Sequence, residues 1–206
     1  MYVKLLLAGI LSFFSLSNYA QEDPPQHILP GELQIKIAVT AAPEAFRENA
    51  TVLGYDPQGE LIELRKGSND YICLAPDYRR PQYFASYCYP KSLEPMMKRG
   101  RELIAEGKRR DRDKIRAREI EEGKLSFPKQ PTTLYGYWGT LDSLNRETGE
   151  MADAKRRYVI YIPFAKAEDL GLSNKPNNLG MPWLMDEGTY KAHIMITPPM
   201  DHKHGR

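Results

Sequence analysis

The chain has 206 residues, with 29 Lys and Arg against 27 Asp and Glu and a net charge of +2. So close a balance argues against a polyanion as the main partner, because neutralising phosphates needs a net basic face; no nucleic acid partner is expected. Charged residues at 27% beside 41% hydrophobic ones describe a globular chain rather than a disordered one.

The chain opens "MYVKLLLAGILSFFSLSNYA". Lys4 precedes an apolar run from Leu5 to Phe14, and small or polar residues follow to Ala20. That is the layout of a signal peptide over residues 1–20. An uncleaved anchor is the competing reading, but the run is shorter than the roughly 20 apolar residues that span a bilayer. Cleavage after Ala20 leaves the acidic, Pro-rich start "QEDPP"; cleavage after Ser17 puts a small residue, Ser15, at the minus-three position. The protein therefore reads as exported, periplasmic or secreted, with no transmembrane span in the mature part. Removing the leader takes away only one charge, that of Lys4.

Residues 21–31, "QEDPPQHILPG", read as an extended arm. In "ELQIKIAVTAAPEAFREN", the alternation of Leu33, Ile35, Ile37 and Val39 suggests a strand, followed by a short helix with Pro43 in its first turn. One broken helix from Leu33 to Asn49 is the alternative. From Thr51, the apolar runs "TVLGYD", "ELIELRKG", "YICLA" and "FASYCY" are separated by turn residues and predict an antiparallel meander.

Cys73 and Cys88 are the only cysteines. Export favours a disulfide. They lie equally far from a turn near Arg80–Pro81, so a hairpin sets them opposite each other, at the ~5.5 Å separation of cross-strand neighbours. Two thiols without a second Cys pair or a nearby His do not match zinc-site spacing. Buried free thiols and a reactive thiol are the remaining readings; the latter lacks an adjacent base.

"SLEPMMKRGRELIAEG" predicts a helix with Ser92 as N-cap. Leu93, Met96, Met97, Leu103 and Ile104 share one face, with Gly100 placed for close packing on the sheet. "KRRDRDKIRAREIEEG" predicts a second, solvated helix in which only Ile115, Ala117 and Ile120 can meet a core. "TTLYGYWGT", "RRYVIYIPF" and "AHIMIT" are the last strand candidates. "AKAEDLGL" reads as one helical turn and "SNKPNNLGMPWLMDEGTY" as a long irregular loop. Strands, then helices, then strands describe an α+β fold: a mainly antiparallel sheet with two central helices packed on or beside one face. The organisation is one domain over 32–198, with a flexible tail at 199–206.

Candidate chemistry concentrates at 174–193. Asp186, Glu187 and His193 offer half of an acid–base apparatus, but no G-x-S-x-G nucleophile motif accompanies them. Trp183 and Tyr190 are candidate ligand contacts; the structural reading is a Trp anchoring the loop. His193 and Met195 share a strand face, and with Met181, Met185 and Met200 they could hold a soft ion such as Cu(I). Methionines filling an irregular core are the commoner case, and no metal site or cofactor is assigned. Tyr78, Tyr83, Tyr87 and Tyr89 crowd the cysteine hairpin. Arg79–Arg80 and the "KRR" runs at 108–110 and 155–157 are basic clusters, most simply read as solvated.

Three stretches, "LGYDPQGELIELRKGSNDYICLAPD", "LEPMMKRGRELIAEG" and "PWLMDEGTYKAHIMI", carry a resemblance to exported bacterial proteins of uncharacterised function. The resemblance implies export and one continuous domain; it supplies no activity, cofactor or site residue. The expected function is a non-enzymatic binding or envelope-accessory domain with a protein or envelope ligand. The alternatives are a hydrolase-like enzyme with its site in the 174–193 loop and a metal-binding protein using His193 and the methionines.

Overall fold

The structure, a computed structural model, describes residues 27–176 and 180–199. The expected signal peptide, residues 21–26 of the arm, Met200 and the rest of the tail lie outside the described residues.

The strands are β1 (Thr51–Tyr55), β2 (Leu61–Arg65), β3 (Tyr71–Leu74), β4 (Phe84–Pro90), β5 (Thr132–Gly139), β6 (Lys155–Tyr161), β7 (Trp183–Met185) and β8 (His193–Ile196). The helices are α1 (Gly31–Thr40), α2 (Glu44–Arg47), α3 (Glu94–Ala105), α4 (Arg112–Glu121) and α5 (Ala167–Leu170). One eight-stranded sheet has the order β2–β1–β3–β4–β5–β6–β8–β7. Every neighbouring pair is antiparallel except β1 with β3. The α+β class with a mainly antiparallel sheet is therefore present.

The meander expectation needs correction. The Asp56–Glu60 turn is tight: Asp56 Oδ1 accepts from the amides of Gln58 (3.0 Å) and Glu60 (2.9 Å), and Gly59 has φ +86°. It folds β2 back onto the outer edge of β1. β3 then pairs with the other edge of β1 and runs parallel to it. β2 suits the edge, because Leu61, Ile62 and Glu63 are all exposed. The β3–β4 hairpin forms as expected: Cys73 pairs with Cys88, and the two are joined by a disulfide with Cα atoms 4.1 Å apart.

The stretch around Leu33 is helix α1, not a strand. Leu33, Gln34, Ile37 and Ala38 are its buried face, while Ile35 and Val39 are only half-buried. The period-two run happened also to contain a helical stripe. α1 packs over Cys73, Cys88, Phe84 and Tyr137, and Ser86 Oγ donates to Ile37 O at 3.3 Å.

On the opposite face, Leu93 and Met96 seat α3 against Ile72, Tyr89, Leu134, Val159 and Met195. α4 packs on α3, with Arg99 paired to Glu119 at 2.8 Å. Two helices on one face is thus an incomplete picture, since α1 covers the other face. Three smaller expectations also change. α3 starts at Glu94 after a 3-10 turn, with Leu93 rather than Ser92 at its cap. Arg116, not Ala117, is the buried residue of α4. The expected irregular loop contains β7.

Candidate functional site

β7 and β8 bring the candidate residues of the 174–193 region to one corner of the sheet. Met185 pairs with His193, and Trp183 with Met195. His193 is buried, its ring 5.4 Å from that of Tyr161 and its Nδ1 2.7 Å from Lys191 O. Burial pushes the imidazole pKa down; the Lys191 carbonyl and the Asp186 charge partly offset this. Asp186 instead pairs with Lys191 Nζ at 3.1 Å, and the same ammonium reaches Asp113 at 2.8 Å. Burial raises the Asp113 carboxyl, but hydrogen bonds from Arg112, Lys191 and Arg116 outweigh it and hold the group well below the usual carboxylate range.

Glu187 accepts from the Ala167 amide at 2.9 Å, at the start of α5. Tyr190 is buried edge-on to Phe127. Trp183 is half-buried against the core around Met195. Asp186 and His193 thus both engage Lys191, through its ammonium and its carbonyl, while Glu187 engages the Ala167 amide. Met195 is buried in the core, while Met181 and Met185 are exposed. Met200 lies outside the described residues.

A different region forms a cavity. α3 covers the sheet over the rows of Ile72, Tyr89 and Val159, and leaves the same face of β1, β3 and the first half of β4 open. The result is a groove of about 980 Å³. Leu53, Leu74 and Ala85 form its apolar floor, and Met97, Arg101 and Ile104 line it from α3. The volume is that of a small-molecule site. Gly100 helps set its inner end. A Cβ there would come within 3.1 Å of Arg116 Nη1, so this glycine accommodates α4 rather than the sheet.

Seven cations and five carboxylates line the groove, and some of them are paired. Arg79 makes a double contact with Asp77 (2.7 and 3.2 Å) and lies over the Tyr55 and Tyr78 rings. Arg101 reaches Glu94 at 2.6 Å and the Tyr89 hydroxyl at 3.2 Å. Arg80, Lys98 and Arg109 have no ion pair among the described residues, and all three line the groove.

Cross-strand register carries the groove's Leu74 and Tyr87 on to residues beyond its lining. Leu74, Tyr87, Gly136 and Arg157 form a continuous row across β3, β4, β5 and β6. A Cβ at 136 would meet the Tyr87 ring at 3.5 Å, an ordinary van der Waals contact. The Tyr87 hydroxyl lies 3.4 Å from that of Tyr83. Arg80 stacks over Tyr83 and Arg157 over Trp138, each at 4.8 Å, and the Tyr83 and Trp138 rings are 6.2 Å apart. Burial and the Tyr83 contact push the Tyr87 phenol pKa up, against the opposing charges of Arg80 and Arg157, so Tyr87 stays a neutral donor at physiological pH.

The sequence drew attention to Tyr83, Tyr87, Arg79–Arg80 and the 155–157 run separately. It did not join them or single out Trp138, because only the register of three strands does so. No family model, curated protein or solved structure matches the chain. Among the described residues no helix is long and apolar enough to cross a membrane.

Proposed function

We propose that the protein is an exported, non-enzymatic binding protein, periplasmic or secreted, whose ligand is an amphipathic acid held between α3 and β1–β4. The observation that carries this reading is the groove itself: an apolar floor of Leu53, Leu74 and Ala85 beside Arg80, Lys98 and Arg109, which have no ion pair among the described residues. An apolar body gains by leaving water on that floor, about 25 cal/mol for each Å² buried. An acidic end gains from the arginines, whose planar donors match oxyanion geometry. The disulfide is in keeping with an oxidising compartment outside the cytoplasm. Acid–base or metal chemistry at His193 is the weaker reading, because Asp186, Glu187 and His193 each engage other groups and none of them lines the groove.

The test is titration of the purified mature chain with dansyl-labelled undecanoic acid and with its uncharged amide. Saturable binding of the acid, weaker binding of the amide, and loss of both in Leu74→Trp and Met97→Trp are expected. Circular dichroism and melting of the variants check that they fold. Acid binding that both groove-filling substitutions leave intact would overturn the proposal, and so would no saturable binding.

A further inference from the structure

We infer that Arg80, Tyr83 and Tyr87 on the groove wall, with Arg157 beside Tyr87, form a headgroup subsite that takes a phosphate monoester, the dianionic end of the ligand. The inference rests on the groove being a ligand site and adds which acid it selects.

Both guanidiniums sit over aromatic rings, Arg80 over Tyr83 and Arg157 over Trp138, each 4.8 Å from the ring centre. A cation held over a ring keeps its charge and its N–H donors for a further partner. No carboxylate among the described residues hydrogen-bonds to either side chain. Arg157 Nε is buried without a hydrogen-bond partner, and a buried donor in that condition is rare unless something satisfies it.

The two tyrosines supply a further donor. In a hydroxyl pair at 3.4 Å one phenol donates to the other, and the acceptor's own proton remains to be given to a third group. Arg80 and Arg157 both act on the Tyr87 phenol, so two positive charges and one neutral donor lie around it. A carboxylate offers one negative charge and two oxygens. A phosphate monoester offers about −1.5 to −2 at neutral pH and three acceptor oxygens. Only the latter matches both cations and the phenol together.

The same headgroup chemistry occurs on a lipid and in free phosphate, so the test separates them. Decyl phosphate, decanoate, decyl maltoside and inorganic phosphate are each titrated calorimetrically into the wild-type mature chain and into Arg80→Gln, Arg157→Gln and Tyr87→Phe. Trp138 fluorescence provides a local readout. The expected result is decyl phosphate binding at least about tenfold more tightly than decanoate, with each Arg substitution removing about tenfold of that affinity, the loss of one charge-assisted contact. Decanoate should weaken less, and Arg157→Lys should be intermediate because it keeps the charge without the fork. Arg80 is exposed, so Arg80→Gln gives a variant whose folding is not at risk.

Equal affinity for decyl phosphate and decanoate would overturn the subsite and leave the groove standing. A phosphate preference that persists in both Arg variants would do the same. Arginine-dependent binding of inorganic phosphate that a decyl chain does not improve would support the subsite and overturn the groove. Absence of binding by every probe would overturn both.

Discussion

Gln34 provides a direct test of how α1 is fixed to the sheet. Its side chain is only 4% exposed and acts as a strand partner for Tyr55. Oε1 accepts from the Tyr55 amide at 2.8 Å, while Nε2 donates to Tyr55 O at 2.8 Å and to Leu29 O at 2.7 Å. Gln34→Met keeps the length and removes all three bonds. The Tyr55 N–H then becomes a buried donor without a partner, at about 1–3 kcal/mol, and each carbonyl loses a bond worth roughly 0.5–1.5 kcal/mol. Partial relaxation brings the expected loss to about 3 kcal/mol, or a fall in Tm of roughly 6–12 °C for a domain of this size. Urea unfolding followed by far-UV circular dichroism would measure it, as a lower midpoint at unchanged slope. Gln34→Glu should destabilise at neutral pH, where the carboxylate can accept from Tyr55 but donates to neither carbonyl. It should recover part of the loss in acid, when the carboxyl regains a proton. A Gln34→Met stability within about 0.5 kcal/mol of wild type, the range of ordinary surface changes, would refute this account of the α1–β1 joint. Tyr55 also lines the groove, so a destabilised joint should weaken ligand binding in parallel.

Two further outcomes follow from buried groups. The disulfide closes a loop with a sequence separation of 15, so the double variant Cys73→Ala, Cys88→Ala should lose about 3 kcal/mol through the freed unfolded chain alone. Both cysteines are fully buried, so reductant should act on the native protein only after unfolding, and alkylation followed by mass spectrometry would show it. His193 should give the protein a pH dependence. Among the groups around it, burial lowers its pKa, the Lys191 carbonyl and Asp186 raise it, and Lys191 and Arg157 lower it further. The unfolded chain takes up the proton at about 6.5 and the folded chain only at lower pH. Between those values the unfolded state holds more protons, so stability should be full above about pH 6.5 and should decline as pH falls through the folded pKa. A His193→Gln variant that keeps the same slope in urea unfolding across this window would assign the pH dependence to another group.

The sequence by itself determined what depends on neighbours along the chain. Cys73 and Cys88 lie equally far from one turn, so the hairpin and its register were legible. The apolar face of α3 was legible for the same reason, as were the runs that became β1 to β6 and β8. α1 was not, because Leu33, Ile35, Ile37 and Val39 satisfy a strand period while Leu33, Gln34, Ile37 and Ala38 satisfy a helical stripe. The choice between them fell to the backbone of Tyr55, twenty-one residues away, which Gln34 binds. β7 escaped notice because three residues carry too little pattern, and its pairing with β8 defines it.

Tertiary structure alone decided the sheet order and the groove. The Asp56–Glu60 turn could place β2 on either side of later strands, and only competition for the edge of β1 sets β3 parallel beside it. Arg80, Tyr87, Trp138 and Arg157 come from three strands and one loop, and local periodicity places no constraint on how such segments align. Their meeting is fixed by backbone hydrogen bonds between distant strands. A sequence states each residue's chemistry, but interstrand register determines which chemistries share a wall.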